Sequence, residues 1–138
     1  MATPNRPRIS TTLVAILLTM TPHAAHATYY DTGSTACRTV RKQAAAAGWP
    51  RTELDRVVHT AARESLCNPH AHNANDPTQY GSRGLLQING SNVRYLVNLR
   101  IIRNANDLYN PTRNLKAGLA LWHAYGWRPW NPTSTAAQ

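Results

Sequence analysis

Apolar and small side chains recur at Leu54, Val57, Val58, Ala61, Ala62 and Ser65, in steps of three and four that put all six on one helix face. The spacing predicts a helix from about Thr52, an N-cap candidate with Asp55 three residues on, to about Leu66. Asn68-Pro69 is expected to stop it, because the residue before proline avoids the helical region. An earlier helix is expected over Cys37–Ala47, where Ala44 to Ala47 run in a row and Gly48 supplies a C-terminal stop. Asn110 followed by Pro111 has the form of a cap and first helical position. The helix they open is expected to bury Leu115, Leu119 and Trp122 and to end at Gly126. Ser91 is a cap candidate for a shorter helix through Val93, Leu96, Val97 and Ile101. Residues 68–84, rich in Asn, Pro, Gly and Asp, read as a long irregular loop, and Gly84–Gly90 is a brief apolar stretch of no clear period. These patterns predict a mainly α single domain of about four to six helices with a short irregular or β-like segment.

The amino terminus has a different character. Arg6 and Arg8 precede the apolar run Leu13–Leu18, and Ala25-His26-Ala27 follows, the order of charged, apolar and small-residue regions in a secretory signal peptide. The competing reading is a buried N-terminal helix. The run falls short of the roughly 18 apolar residues that would span a bilayer. Cleavage near Ala27 would divide the chain into a signal peptide over residues 1–27 and an exported domain over 28–138. Its core is expected at about 36–130, and Pro129 and Pro132 predict a flexible tail over 131–138. The 138 residues carry 15 Lys and Arg against 6 Asp and Glu, a formal charge of +9; losing Arg6 and Arg8 leaves +7. That excess favours an anionic partner, such as an anionic cell-envelope surface. The basic residues are scattered rather than clustered, and export argues against nucleic acid.

Cys37 and Cys67 are the only cysteines. An even pair in an oxidising compartment most simply forms one disulfide, contributing about 3–4 kcal/mol in the chain-entropy model. The competing reading is a catalytic thiol served by a nearby histidine such as His59.

Glu64 is the residue that carries candidate chemistry. It falls about 90° from the centre of its helix's apolar face, at the border between core and solvent, taking 100° per residue. It also lies in the last turn, where the helix dipole disfavours negative charge. Partial burial and the dipole both oppose ionisation, which suits a general acid. An ordinary surface glutamate bridged to Arg63 or Arg56 fits the position as well. Glu53, in a first helical turn, is placed favourably for the dipole and is not expected to be a second catalytic acid.

The segment from Ala62 to Asn73, with Glu64-Ser65, Asn68-Pro69, Ala71 and Asn73, resembles the E-S-x-x-N-P-x-A-x-N signature of the soluble-lytic-transglycosylase domain. Gly84-Leu85-Leu86-Gln87-Ile88-Asn89 resembles that family's G-L-M-Q-I-N segment. Asn110-Pro111, Asn114, Ala117-Gly118 and Trp122 are similar to its N-P-x-x-N-x-x-A-G helix. The three motifs follow the family's order over about residues 50–130. The resemblance implies a lysozyme-like α fold that cleaves the N-acetylmuramic acid–N-acetylglucosamine bond of peptidoglycan, acting as a monomer without cofactor or metal. It implies Glu64 as the acid and then base, and Ser65 as the residue that positions it. Gln87 and Asn89 would line the sugar cleft, and Tyr80 is placed with them. Most glycosidases use two carboxylates; this family resembles the exceptions, in which the substrate's acetamido group or C6 hydroxyl replaces the second.

The family's closing A-Y-N-x-G is shortened here to Ala124-Tyr125-Gly126, which makes Tyr125 the candidate aromatic facing the scissile bond. Asp76, twelve residues after Glu64, is either a turn residue before Pro77 or the carboxylate that orients a water, as in goose-type lysozymes. The second role would make the protein a hydrolase. A catalytically silent glycan-binding module on the same scaffold is the third reading, and the retention of Glu64 and Ser65 weighs against it. His70 and His72 with Asp76 suggest metal ligation only weakly, since a fourth ligand is missing. Trp122 is assigned to packing, with Trp127 and Trp130 open between packing and sugar stacking.

Overall fold

The structure is a computed structural model that describes residues 30–76 and 78–131. The signal-peptide region, the cleavage point near Ala27 and the tail beyond Asn131 lie outside the described residues. Four α-helices dominate the regular structure: α1 (Thr35–Ala46), α2 (Leu54–Ser65), α3 (Val93–Asn98) and α4 (Pro111–Tyr125). Among them sits a small antiparallel sheet of β1 (His72–Asn73), β2 (Ser82–Arg83) and β3 (Ile88–Asn89), in that spatial order. His72 pairs with Arg83 and Arg83 with Ile88. The protein is mainly α, and the stretch that was expected to be irregular folds back on itself as this sheet.

The stripe expected on α2 is the stripe it buries: all six positions are buried, with Thr60 beside them. Thr52 does not cap the helix, because a 3₁₀ turn over Arg51–Glu53 leads into it after Pro50. Nor does Pro69 end it. Leu66 and Cys67 both take left-handed conformations, at φ 53° and 60°, and the Cys67 N–H turns back to the Ala61 carbonyl. Two such non-glycine residues in succession cost about 1–3 kcal/mol each. Cys67 is held there by its disulfide to Cys37 in the first turn of α1, with the Cα atoms 5.3 Å apart. The bridge thus fixes the end of α2 from Cys67, two residues beyond Ser65 and three beyond Glu64.

In α4, Asn110 accepts from the Arg113 N–H as expected of the cap. The buried face is rotated from the expected one: Asn114, Leu115, Ala117, Gly118 and Leu121 are buried, while Leu119 and Trp122 are only partly so. The reason is that α4 packs against both α1 and β3. Gly118 permits the second contact, since a Cβ there would lie 2.3 Å from Leu86 Cδ1. The helix at 91 also begins differently. Asn89, not Ser91, supplies the capping oxygen to a 3₁₀ turn, and Ile101 lies past the end of α3.

Leu85, Leu86 and Ile88 are fully buried, so the apolar stretch of undetermined period is the middle of the core. Asn114 holds it there. Its Oδ1 accepts from the Leu86 N–H, and its Nδ2 donates to the Arg83 and Leu108 carbonyls, all at 2.9 Å. Gly84 (φ 76°) passes so close that a Cβ would meet Asn114 Nδ2 and the Leu108 oxygen at 2.2 Å. Trp49 closes the other side of α4, donating from its indole to the Leu115 carbonyl at 3.0 Å.

Candidate active site

The C-terminal end of α2, the small sheet and the turn at Arg128–Trp130 frame an open cleft of about 530 Å³. Glu64, His72, Asp76, Gln87, Asn89 and Trp130 are among its walls, and among the described residues no lysine or arginine lines it. Two acids 12 positions apart in sequence therefore share one cavity.

Glu64 sits at the core–solvent border as its helix phase predicts, its side chain 28% exposed. The alternative of a bridge to Arg63 is realised as well. Arg63 donates from Nε (3.0 Å) and Nη2 (2.7 Å) to Oε1, leaving Oε2 without a protein donor among the described residues. Arg63 Nη2 also donates to the Trp130 carbonyl at 2.5 Å, and Trp130 Nε1 donates to the Leu86 carbonyl at 2.9 Å. The carboxylate is thus braced from the far end of the chain. Trp130 is a docked, buried residue.

Asp76 takes the turn position and also stands in the cleft wall. Oδ1 accepts from the Thr78 N–H at 3.1 Å, the side-chain turn expected of an aspartate at this point. Oδ2 accepts from the Ser82 hydroxyl and from Asn89 Nδ2. Partial burial opposes the charge, but the hydrogen bonds from Ser82, Thr78 and Asn89 outweigh it and hold the carboxyl below its ordinary 3.8. Asp76 is a fixed, ionised carboxylate on the cleft wall.

Asn89 lines the cleft, but both ends of its amide are engaged: Nδ2 by Asp76, Oδ1 by the Ser91 N–H (2.8 Å) and hydroxyl (2.6 Å). Gln87, at a left-handed φ of 44°, donates from Nε2 to the Ala71 and Gly84 carbonyls, so Oε1 is what it retains for a ligand. Ser65 departs from expectation. It is buried, and its hydroxyl lies 2.9 Å from the Ala61 carbonyl and 2.8 Å from that of Leu85. It touches neither the Glu64 carboxyl nor the cleft; it ties the end of α2 to the core segment, and so acts on Glu64 only through the backbone. Tyr80 and Tyr125 are exposed and absent from the walls. Tyr125 is the last residue of α4, before Gly126, and Tyr80 lies in the loop between β1 and β2.

His70 and His72 both turn to the Tyr109 ring, with centroids 6.3 Å away, and no cluster of three potential metal ligands occurs among the described residues. Trp122 and Trp127 pack on Trp49, with ring centroids 5.6 and 5.5 Å away. Trp127 Nε1 donates to Glu53 Oε2 at 2.9 Å, which gives Glu53 a structural task remote from the cleft walls. Sequence reasoning offered Arg63 only as the partner of a surface glutamate and Trp130 only as a packing or stacking residue, and missed the link between them. Arg63 was visible as a neighbour of Glu64, whereas nothing local to Trp130 signals a contact 67 positions away.

Among the described residues no helix is long and apolar enough to cross a membrane. No curated protein and no solved structure matches the chain. Residues 41–133, which hold both acids, the sheet, α4 and the Trp130 turn, match the family described as the lysozyme-like domain. Two thirds of the sequence, with the architecture to accompany it, therefore places this chain in the lysozyme-like domain family of the soluble-lytic-transglycosylase type.

Proposed function

We propose that the protein is an exported enzyme that cleaves the β-1,4 bond between N-acetylmuramic acid and N-acetylglucosamine in peptidoglycan, with Glu64 as its acid and base. Membership in the lysozyme-like family supports glycan cleavage in general terms. The observation that carries the finer reading is a carboxyl at a core–solvent border, opening on a cleft without lysine or arginine. Oε1 is held by Arg63, so Oε2 is the oxygen that carries the proton to the glycosidic oxygen. As the C1–O bond breaks, the proton passes to the leaving sugar. Glu64, now a carboxylate, takes a proton from the C6 hydroxyl that attacks C1, closing a 1,6-anhydro ring.

This lytic course needs no second protein carboxylate, and the donors engaging Asp76 leave it as a wall residue. A hydrolytic course is the second reading, favoured by one observation: Asp76 is ionised in the same cleft and could hold a water. Mass spectrometry of muropeptides released from purified sacculi separates the two. Anhydro ends are expected; reducing ends would assign hydrolysis, and no release would leave a glycan-binding module. Glu64→Gln should lower turnover at least about a hundredfold, since general acid–base catalysis typically contributes 10²–10⁴-fold. Glu53→Gln, which keeps an acceptor for the Trp127 indole, should leave turnover nearly intact. Near-normal turnover by Glu64→Gln overturns the assignment.

A further inference from the structure

The positive charge that the cleft lacks is gathered beside it. A groove of about 500 Å³ between α1 and α2 is lined by Arg38, Arg41, Arg56 and His59, with Asp55 as the one acid in its wall. Arg38 and Arg41 are three positions apart on α1; Arg56, His59 and Arg63 follow at three and four on α2, so each set shares one exposed helix face. Asp55 is ion-paired with Arg41. Arg38 donates to neutral acceptors, the Gly33 carbonyl and Thr35 hydroxyl. The Arg56 guanidinium lies over the Trp127 ring, 4.7 Å from its centroid, and makes no hydrogen bond or ion pair among the described residues. Two arginines in one groove are therefore without a carboxylate.

The groove also leads somewhere. A smaller cavity of about 190 Å³ shares Arg56 and His59 with it and continues to Arg63, Trp127 and Trp130. Trp130 is in turn a wall of the catalytic cleft, and Arg63 holds Glu64. Three concavities thus adjoin in a row, cationic at one end and acidic at the other. Guanidinium forks suit carboxylate and phosphate oxygens, which they engage through paired N–H donors. A sugar hydroxyl offers them a neutral acceptor, whereas an anionic group projecting from the strand offers paired, charge-assisted bonds of about twice the strength.

We infer that the α1–α2 groove is an oxyanion-binding site outside the cleft, in which Arg38 and Arg56 engage carboxylate or phosphate groups borne by the glycan while its sugars occupy the cleft. The inference rests on the proposed peptidoglycan substrate and extends it to the substituents of the strand. It explains why the positive charge stands on the flank of the site and not inside it.

The test uses the exported protein and its Arg38→Gln/Arg56→Gln variant, with equal thermal melts as the check on folding. Binding is read by co-sedimentation with insoluble sacculi, and turnover on a short glycan free of peptide and phosphate. The variant should bind about tenfold more weakly at low salt. It should match the unaltered protein near 1 M salt, where charges a few ångströms apart are screened, and keep its kcat on the short glycan. Sacculi stripped of peptides and sacculi stripped of phosphodiester-linked polymers then identify the source of the anion, because the arginine-dependent part of binding should vanish in one arm. Unchanged binding by the variant, a loss indifferent to salt, or a loss that persists when both kinds of group are removed would overturn the inference. If the unaltered protein cleaves no glycan at all, the catalytic reading fails instead, and the salt-dependent binding difference still judges the groove.

Discussion

Replacing Asn114 with Leu should unfasten the cleft from the helix behind it. Leucine keeps the branching and the number of heavy atoms of asparagine but is bulkier, so the change removes the hydrogen bonds and adds some crowding, which can only deepen the loss. Asn114 is fully buried, and its amide satisfies three backbone groups: the Leu86 N–H and the carbonyls of Arg83 and Leu108. Leaving each buried group without its partner costs about 1–3 kcal/mol, or about 3–9 kcal/mol for the three. Burying the apolar leucine offsets about 2 kcal/mol of that. The net loss of about 1–7 kcal/mol, centred near 4, is a large share of the 5–15 kcal/mol typical of a domain. With a urea m-value of about 1.5 kcal/mol/M, the midpoint should fall by at least about 0.7 M, and by about 2–3 M at the centre of that range, at unchanged m. The assay is urea unfolding followed by tryptophan fluorescence under non-reducing conditions, so that the disulfide stays closed. A midpoint shift under about 0.5 M would refute the argument, since it would mean that water or a shifted backbone satisfies all three groups at small cost.

The Cys37–Cys67 bridge should leave no titratable thiol in the denatured, unreduced protein, and reduction should destabilise it by about 3–4 kcal/mol in the chain-entropy model. Two free thiols in a stable sample would remove the bridge from the account. Asp107 receives the backbone N–H and guanidinium of Arg103 and pairs with Arg113, which together bring its carboxyl from 3.8 to about 2. Its folded value lies below its unfolded one, so its contribution to stability is present above pH 3.8 and is lost as pH falls through about 2. Asp107→Asn should flatten the dependence of the urea midpoint on pH across that window, and an unaltered slope would show that the pair does not contribute.

What the sequence by itself determined was what periodicity and local chemistry can carry. The burial of α2 follows from its three-and-four spacing, and the start of α4 from an asparagine cap followed by proline; neither needs a distant partner. The position of Glu64 at a border follows from the same helical phase, and the pairing of two lone cysteines from their number. The burial of α4 could not be read the same way. Its face is set by α1 on one side and by Leu86 against Gly118 on another, so the deepest residues are not those of a single-sided stripe. Side-chain direction in the site was equally beyond local reading. Ser65 chooses a carbonyl 20 positions away, Asn89 a carboxylate 13 positions back, and Arg63 a carbonyl 67 positions on. A polar side chain has several partners of similar strength open to it, and the bond it keeps is the one that desolvates least when the core closes. That selection is made by packing between segments far apart in the chain, which is why the candidate acid was legible in the sequence and the brace that holds it was not.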